Sequence, residues 1–461
     1  MRTPKRKCRL EHDSMGEIEV AADKYWGAQT ERSRNNFNVG GEIMPREIID
    51  AFAILKASAA KANFLLEPEK MTEKKLFAIE KVCSEILSGE LYGHFPLVVW
   101  QTGSGTQTNM NLNEVIANRG NEILGEKVLH SNDDVNMSQS SNDTFPAAMN
   151  IAAASEIAKK LLPAIDVMIE ELSRLEEENE DVVKVGRTHL QDAVPISFSQ
   201  EISGWRAALE SSRSQIENSV KLLYPLALGG TAVGTGLNAP QGFDKLVAQN
   251  IAESTQISFT SAENKFHALS CKDSFVFAHG ALKSLAANLL KIANDIRWLA
   301  SGPRCGLGEI KIPENEPGSS IMPGKVNPTQ CEMVSMVAIE VMGNDAAISF
   351  AASQGNFELN VYMPLIAFNF LRSVRLLADA MISFSNNCLS GLVPDREKMR
   401  ENLEKSLMNV TALNKRIGYE NAAKIAQTAH RENITLKEAA LKLGILSEEE
   451  FDFLVVPEKM V

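Results

Sequence analysis

From Ala268 to Leu299 apolar side chains recur in steps of three and four: Ala268, Cys271, Phe275, Ala278, Leu282, Leu285, Leu289, Ile292, Ile296 and Leu299. The spacing keeps one stripe of a 3.6-residue helix apolar for some thirty residues, about 45 Å at 1.5 Å per residue. A helix of that length buries its stripe only against neighbours of similar length. Leu161, Ile165, Met168, Leu172 and Leu175 begin a second stripe, and further helical patterns cover about 196–222, 329–353 and 360–385. The fold class predicted is all-α, a long-helix central bundle with a five-helix core and smaller N- and C-terminal domains. Only 6% of residues are aromatic, which favours helix over sheet.

The chain divides by pattern into residues 1–143, a helical-bundle region 144–394, and short charged helices after Val393-Pro394-Asp395, predicted as a small C-terminal domain 395–461. A formal charge of -12 argues against nucleic acid or an anionic membrane as partner, so an anionic substrate needs a local positive site. No run approaches 18 consecutive apolar residues, and no membrane span is expected. The basic start M-R-T-P-K-R-K-C-R-L lacks an apolar segment behind it and reads as a short mobile tail. Six scattered cysteines, with no C-x-x-C pair and no Cys/His cluster, suit reduced thiols in the cytoplasm and give no metal site.

Four polar stretches interrupt the helices. Pro317 to Glu332 carries three prolines and two glycines, so neither a regular helix nor a central strand runs through it. As an extended loop it aims Lys325 and Asn327 at one target with Ser319 and Ser320 close by, a cation, an amide and two hydroxyls suited to a carboxylate. The same residues also describe a solvated interhelical connection. Q-T-G-S-G-T-Q-T-N-M-N (101–111) offers Ser104 and Thr106 around Gly103 and Gly105, ahead of a helical run expected near Leu112; it reads equally as a helix cap. H-S-N-D-D-V-N-M-S-Q-S-S-N-D (130–143) is almost wholly polar and precedes an Ala-rich helix. G-R-T-H-L-Q-D-A (186–193) holds His189 in an expected loop between long helices. His267, His279 and His430 fall in helical patterns and read as structural. A-L-G-G-T-A-V-G-T-G-L-N (227–238) lacks a β-α-β context and is no dinucleotide site. With no P-loop, metal cluster or cysteine nucleophile with a clear base, acid-base chemistry on a carboxylate remains.

G-S-S-I-M-P-G-K-V-N-P resembles the signature of the fumarase/aspartase superfamily, and the chain from about Asp13 to Val456 is similar to class II fumarate hydratases. T-G-S-G-T-Q-T-N-M-N, S-Q-S-S-N-D-T-F-P, G-R-T-H-L-Q-D-A and W-L-A-S-G-P-R-C-G-L-G-E-I carry the resemblance further. Aspartate ammonia-lyases usually have glutamine at the place of His189 and alanine at that of Gly324, so both positions favour a fumarase. The resemblance implies reversible hydration of fumarate to L-malate, a tricarboxylic acid cycle reaction, with no metal or organic cofactor. It also implies a homotetramer with a twenty-helix core and active sites shared between subunits. The alternatives are an aspartate ammonia-lyase or a catalytically silent structural homologue.

By the same resemblance Ser319 is the base and His189, oriented by Glu332, handles the proton on the hydroxyl side. Ser104, Gly105, Thr106, Ser140, Ser141, Asn142, Thr188, Ser320, Lys325, Val326 and Asn327 hold the dicarboxylate. A second anion site is implied at Lys127, His130, Ser131, Asn132 and Asp133, where Ser131 replaces the usual proline of H-P-N-D and Met137 a usual lysine.

Overall fold

A computed structural model of the chain describes residues 7–461. The chain opens with a hairpin of β1 (Cys8–Asp13) and β2 (Gly16–Ala21), in register from Cys8↔Ala21 to Asp13↔Gly16. The sequence-based tail therefore ends before Cys8, because alternating exposed and half-buried residues pair across this hairpin; residues 1–6 lie outside the described part. Four helices follow: α1 (Ala28–Asn36), α2 (Arg46–Leu66), α3 (Glu73–Ser88) and α4 (Thr106–Leu124). Next, α5 (Ser141–Glu156) passes through one π-type turn, Ile157–Leu161, into α6 (Leu162–Glu178). The antiparallel pair β3 (Val183–Thr188) and β4 (Gln191–Ser197) leads into α7 (Phe198–Val220). Then come β5 (Pro225–Leu226), α8 (Phe243–Thr255), β6 (Thr260–Ser261), α9 (Lys265–Ser270) and α10 (Asp273–Leu299). The chain continues through β7 (Ile310–Lys311), α11 (Thr329–Ala352), α12 (Met363–Asn387) and β8 (Val393–Pro394). It ends in α13 (Arg396–Lys405), α14 (Asn414–Ile417), α15 (Tyr419–Glu432), α16 (Leu436–Lys442) and α17 (Glu448–Leu454).

The five long helical stretches read from the apolar spacing are present as α5 with α6, α7, α10, α11 and α12. One is shorter than its pattern. Ala268 belongs to α9, and the chain leaves helix at Cys271 and Lys272 before α10 begins. Buried Lys272 stops the first helix there, since its Nζ donates to the carbonyls of Ala268, Leu269 and Cys271 at 2.8–3.0 Å.

The chain forms two units. The first runs to Pro163 and adds Arg213–Ala286 and Ile339–Ala378. In it α2 buries Ile48, Phe52, Leu55, Ala59 and Ala62, and the Ala-rich α5 packs against it with small side chains that permit close approach. His279, expected to be structural, is fully buried between Asp345 (3.0 Å) and Ser373 (2.9 Å). The second unit comprises Ala164–Ser212, Ala287–Ala338 and Asp379–Val461. Its core includes Leu172, Leu175, Phe198, Trp205, Leu289, Ile292 and Ile296. Val410, Leu413, Ala422, Ile425, Ala439 and Phe451 close a separate small core within the C-terminal helices.

By length and composition alone α11 can cross a membrane, a property hidden from a count of uninterrupted apolar residues because Glu332, Glu340 and Asp345 are spread along it. Only 28% of its most apolar stretch is buried within the chain, and Met336, Ile339 and Phe350 are exposed.

Candidate active site

In the first unit the polar stretches 101–111 and 130–143 become the N-termini of α4 and α5. Helix α4 begins at Thr106, six residues before the expected Leu112. Gln101 is the reason, since its Oε1 accepts both the Thr108 amide (3.1 Å) and the Thr108 hydroxyl (2.8 Å) and closes the first turn. Gly103 lies against the chain entering α12: a β-carbon there would stand 1.4 Å from the Val361 carbonyl, and the Met363 amide donates to the Gly103 carbonyl at 3.0 Å. Helix α5 starts with a capping box. The Ser140 hydroxyl accepts the Asn142 amide (3.2 Å), and Asp143 accepts the Ser140 amide (2.9 Å).

These two helix ends meet. The Thr106 hydroxyl lies 2.9 Å from that of Ser104 and 2.8 Å from that of Ser141, a run of three hydroxyls ahead of two helix N-termini. Asn142 donates to the Ala232 carbonyl at 2.8 Å. The glycine-rich run 227–238 has its explanation here, because Gly229 and Thr231 donate their amides to the second Asp143 oxygen at 3.1 and 2.9 Å. Burial pushes the Asp143 carboxyl up to about 6, against the pull of those amides. A cavity of about 850 Å³ is lined by Thr106, Ser140, Ser141 and Thr231 among others.

Four of the five residues implied for a second anion site, His130, Ser131, Asn132 and Asp133, lie in the turn Ser131–Val135 and its cap. His130 caps the turn Ser131–Val135 by accepting the Asp133 amide at 3.2 Å. Of the five residues only Asn132 and Asp133 line the cavity; Lys127 is exposed on the approach to Leu129. The cations on that wall are Lys70 and Lys75, the latter paired with Asp134 at 2.6 Å.

In the second unit His189 sits on a hairpin, not in an irregular loop. Strand β3 pairs antiparallel with β4 from Val183↔Ser197, and Thr188↔Gln191 closes a two-residue turn. Its central residues, His189 (φ 56°) and Leu190 (φ 60°), are both left-handed, as a primed hairpin turn demands and as a leucine resists. Below the turn Arg187 makes a two-point contact with Glu309, at 2.9 and 2.5 Å. Asn402 adds a third bond to Glu309 at 2.9 Å, and fully buried Lys184 stands 3.5 Å away. Burial alone would raise the Glu309 carboxyl, yet the Arg187 guanidinium and Lys184 hold it below its usual range. Thr188, His189 and Leu190 project from this clamped base into solvent.

The stretch 317–328 is a loop and α11 starts at Thr329. It is closed rather than extended: the Gly318 amide donates to the Lys325 carbonyl (2.7 Å) and the Asn327 side-chain amide donates to the Gly318 carbonyl (2.7 Å). Asn327 is therefore a brace of the ring, and a β-carbon at Gly318 would meet the Lys325 carbonyl at 2.7 Å. Inside the ring the Ser319 Oγ accepts two backbone amides, Ile321 at 3.2 Å and Met322 at 2.9 Å. Donors so placed favour the hydroxyl after it has lost its proton. Ser320, Lys325 and Val326 are exposed, as is Glu332 in the first turn of α11; among the described residues no hydrogen bond joins Glu332 to His189. Asn315 donates to the Asn387 carbonyl at 2.9 Å, and Ser383 donates to Gln330 at 3.0 Å, so both ends of the loop are fastened to α12.

One buried charge escaped the reading of the sequence. Lys56, in the middle of α2, donates to Asn136 Oδ1 (3.1 Å) and Gln139 Oε1 (3.0 Å) in the turn that precedes Ser140. Its only signal is a lysine interrupting A-F-A-I-L-K-A-S-A-A, which alone reads as a solvent-facing position.

A lyase family model matches residues 16–343, and a fumarase C C-terminus model matches residues 410–461. The class II fumarate hydratase of Helicobacter pylori is 60% identical over 458 residues, 98% of each chain. That of Bacillus subtilis is 58% identical over 457 residues, again 98% of each. The crystal structure of a recombinant class II fumarase from Schistosoma mansoni superposes with a TM-score of 0.96 at 44% identity, covering 98% of this chain and 99% of that one.

Proposed function

The chain belongs to the class II fumarate hydratase family, and from that premise we propose that it catalyses the reversible addition of water across the double bond of fumarate to give L-malate. The observation that carries the reading is the Ser319 hydroxyl, held inside the Gly318–Asn327 ring with two amides directed at its oxygen. Removing a proton from the carbon beside a carboxylate is the hard step. Ser319 takes that proton, its developing negative charge stabilised by the Ile321 and Met322 amides. The charge left on carbon spreads into the carboxylate, where the Lys325 ammonium and the free N–H of Asn327 meet it. His189, oriented by Glu332 and acting through a water, returns a proton to the departing hydroxyl. Thr188, Ser320 and the Val326 amide complete this side.

The second carboxylate and the hydroxyl belong to the cradle of Ser104, Gly105, Thr106, Ser140, Ser141 and Asn142. We assign the cradle, the β3–β4 turn and the 317–328 loop of each site to three copies in a homotetramer, because the largely unburied apolar α11 needs a cover that one chain does not supply. The twenty-helix core, the divisions at 143 and 394 and a cytoplasmic setting belong to the same reading, the last supported by the free thiols of Cys83, Cys271, Cys305, Cys331 and Cys388. For the second anion site the reading narrows to Asn132 and Asp133, with Lys70 and Lys75 in place of Lys127.

The test is an ultraviolet assay of fumarate formed by the purified protein from L-malate and, separately, from L-aspartate. Turnover of malate alone is expected. Turnover of aspartate alone would make the chain an ammonia-lyase, and turnover of neither would leave a silent homologue. Sedimentation equilibrium should return the mass of four chains.

A further inference from the structure

Lys56 is 1% exposed, and among the described residues its Nζ bonds only the side-chain oxygens of Asn136 and Gln139, with no carboxylate within ion-pairing distance. A buried ammonium without a direct counter-ion is costly, and an apolar residue of the same length would fill this place on α2 without that cost. What the charge achieves shows in its partners. Asn136 Oδ1 accepts three donors at 3.1 Å: Lys56, Asn109 and Asn113. Asn109 lies one turn into α4 behind Thr106, and its Oδ1 accepts the Thr144 hydroxyl of α5 at 3.1 Å. Gln139 immediately precedes Ser140, and its own amide holds the Val135 and Met137 carbonyls at 3.2 and 2.9 Å. One ammonium thus ties the starts of α4 and α5 together beneath the cradle, whose own residues carry no cation, while Lys70 and Lys75 stand on the wall of the same cavity.

We propose that Lys56 is a positioning residue for the dicarboxylate: it fixes the Asn136–Gln139 turn, sets where Ser140, Ser141 and Asn142 stand relative to Thr106, and lends the hydroxyl cradle a positive potential. The inference rests on the hydratase reading and extends it to a residue that never touches substrate. The titratable groups facing Lys56 are Asp143 from α5 and Cys83 from α3. Asp134 of the 131–139 segment is engaged by Lys75, α4 presents Asn109 and Asn113, and α8 presents Asn250, which bonds the Ser58 carbonyl. Burial pushes Lys56 down to about 7, against the pull of Asp143. Dianion binding therefore weakens as pH rises through neutrality and the ammonium is lost.

The experiment compares wild type with Lys56→Met, measuring KM and kcat for fumarate and L-malate, the inhibition constant of succinate from pH 6 to pH 9, and the thermal midpoint. KM and the succinate constant should rise about tenfold at neutral pH, the loss of one charge-assisted anchor, with kcat changed less than about threefold. The weakening of succinate expected of wild type between pH 6 and pH 9 should be absent in the variant. Gln139→Leu serves if Lys56→Met does not fold; it keeps the lysine, and its KM should rise in the same direction by a smaller factor. Wild-type KM and an unaltered succinate profile in either folded variant overturn the proposal, whatever happens to stability. Failure of wild type to turn over malate would overturn the hydratase reading itself and the proposal with it, so the two failures are distinguishable.

Discussion

The hydroxyl cradle of the first unit and the 317–328 loop of the second are built in opposite ways. Every polar group of the cradle has a partner inside its own unit: Ser104, Thr106 and Ser141 bond one another, Asn142 bonds Ala232, and Asp143 gathers three amides. The second unit instead fastens the bases of its two elements, the β3–β4 hairpin through Arg187 and Glu309 and the 317–328 ring through Asn315 and Gln330, and leaves Thr188, His189, Ser320 and Lys325 exposed. A group that binds can be fully satisfied before substrate arrives, whereas a group that transfers protons has to keep a free valence and a means of excluding water. The left-handed His189 and Leu190 carry the strain of that second strategy.

The largest effect is expected at the base. Ser319→Ala should lower kcat by about 10³-fold or more while KM moves only a few-fold, since the cradle still binds. Near-normal malate dehydration by that variant would erase the division of labour. Next in size is Glu309→Gln, which leaves Arg187 and Lys184 without their shared counter-charge; thermal or denaturant unfolding should show a loss of about 3 kcal/mol or more. Because the folded Glu309 carboxyl titrates below its unfolded value, it contributes stability that is present above the unfolded carboxylate range and lost as pH falls through the folded one. The variant should therefore be less sensitive to acid than wild type, and an equal acid limb in both would refute the clamp. Thr106→Val removes the middle hydroxyl of the cradle and should reduce kcat/KM about tenfold, mainly through KM, with little change in thermal midpoint. A kcat effect without a KM effect would move Thr106 to the proton-transfer side. The smallest change is Leu190→Gly, which relieves a left-handed leucine and should raise stability by about 1 kcal/mol. Lower stability would show that the turn is not strained there.

Much of the fold was legible because helix period is a local property. The stripes of Leu161 to Leu175 and Ala268 to Leu299 announce their helices wherever the chain goes, and in the second of them Lys272, reaching back to the carbonyls behind it, moved a boundary. The motif loops were legible for a different reason, since Pro and Gly exclude helix and leave serine, threonine, asparagine and lysine as what remains. The reading failed wherever a partner is distant in sequence. The β3–β4 hairpin was taken for a loop because its strands do not alternate buried with exposed side chains and its turn carries His-Leu instead of Asn-Gly. That one N–H of Asn327 closes on Gly318, nine residues earlier, was likewise not legible in the motif.

The sequence by itself determined an all-helical chain with long apolar seams, the four polar stretches and the class of chemistry they suit, because periodicity and residue type act over a few neighbouring positions. Tertiary structure alone decided that a glycine-rich run serves Asp143 and that a lysine on an apolar helix underlies the cradle. Those contacts join residues some eighty positions apart, Lys56 to Asn136 and Asp143 to Gly229, and only the folded backbone determines which buried donor finds which acceptor.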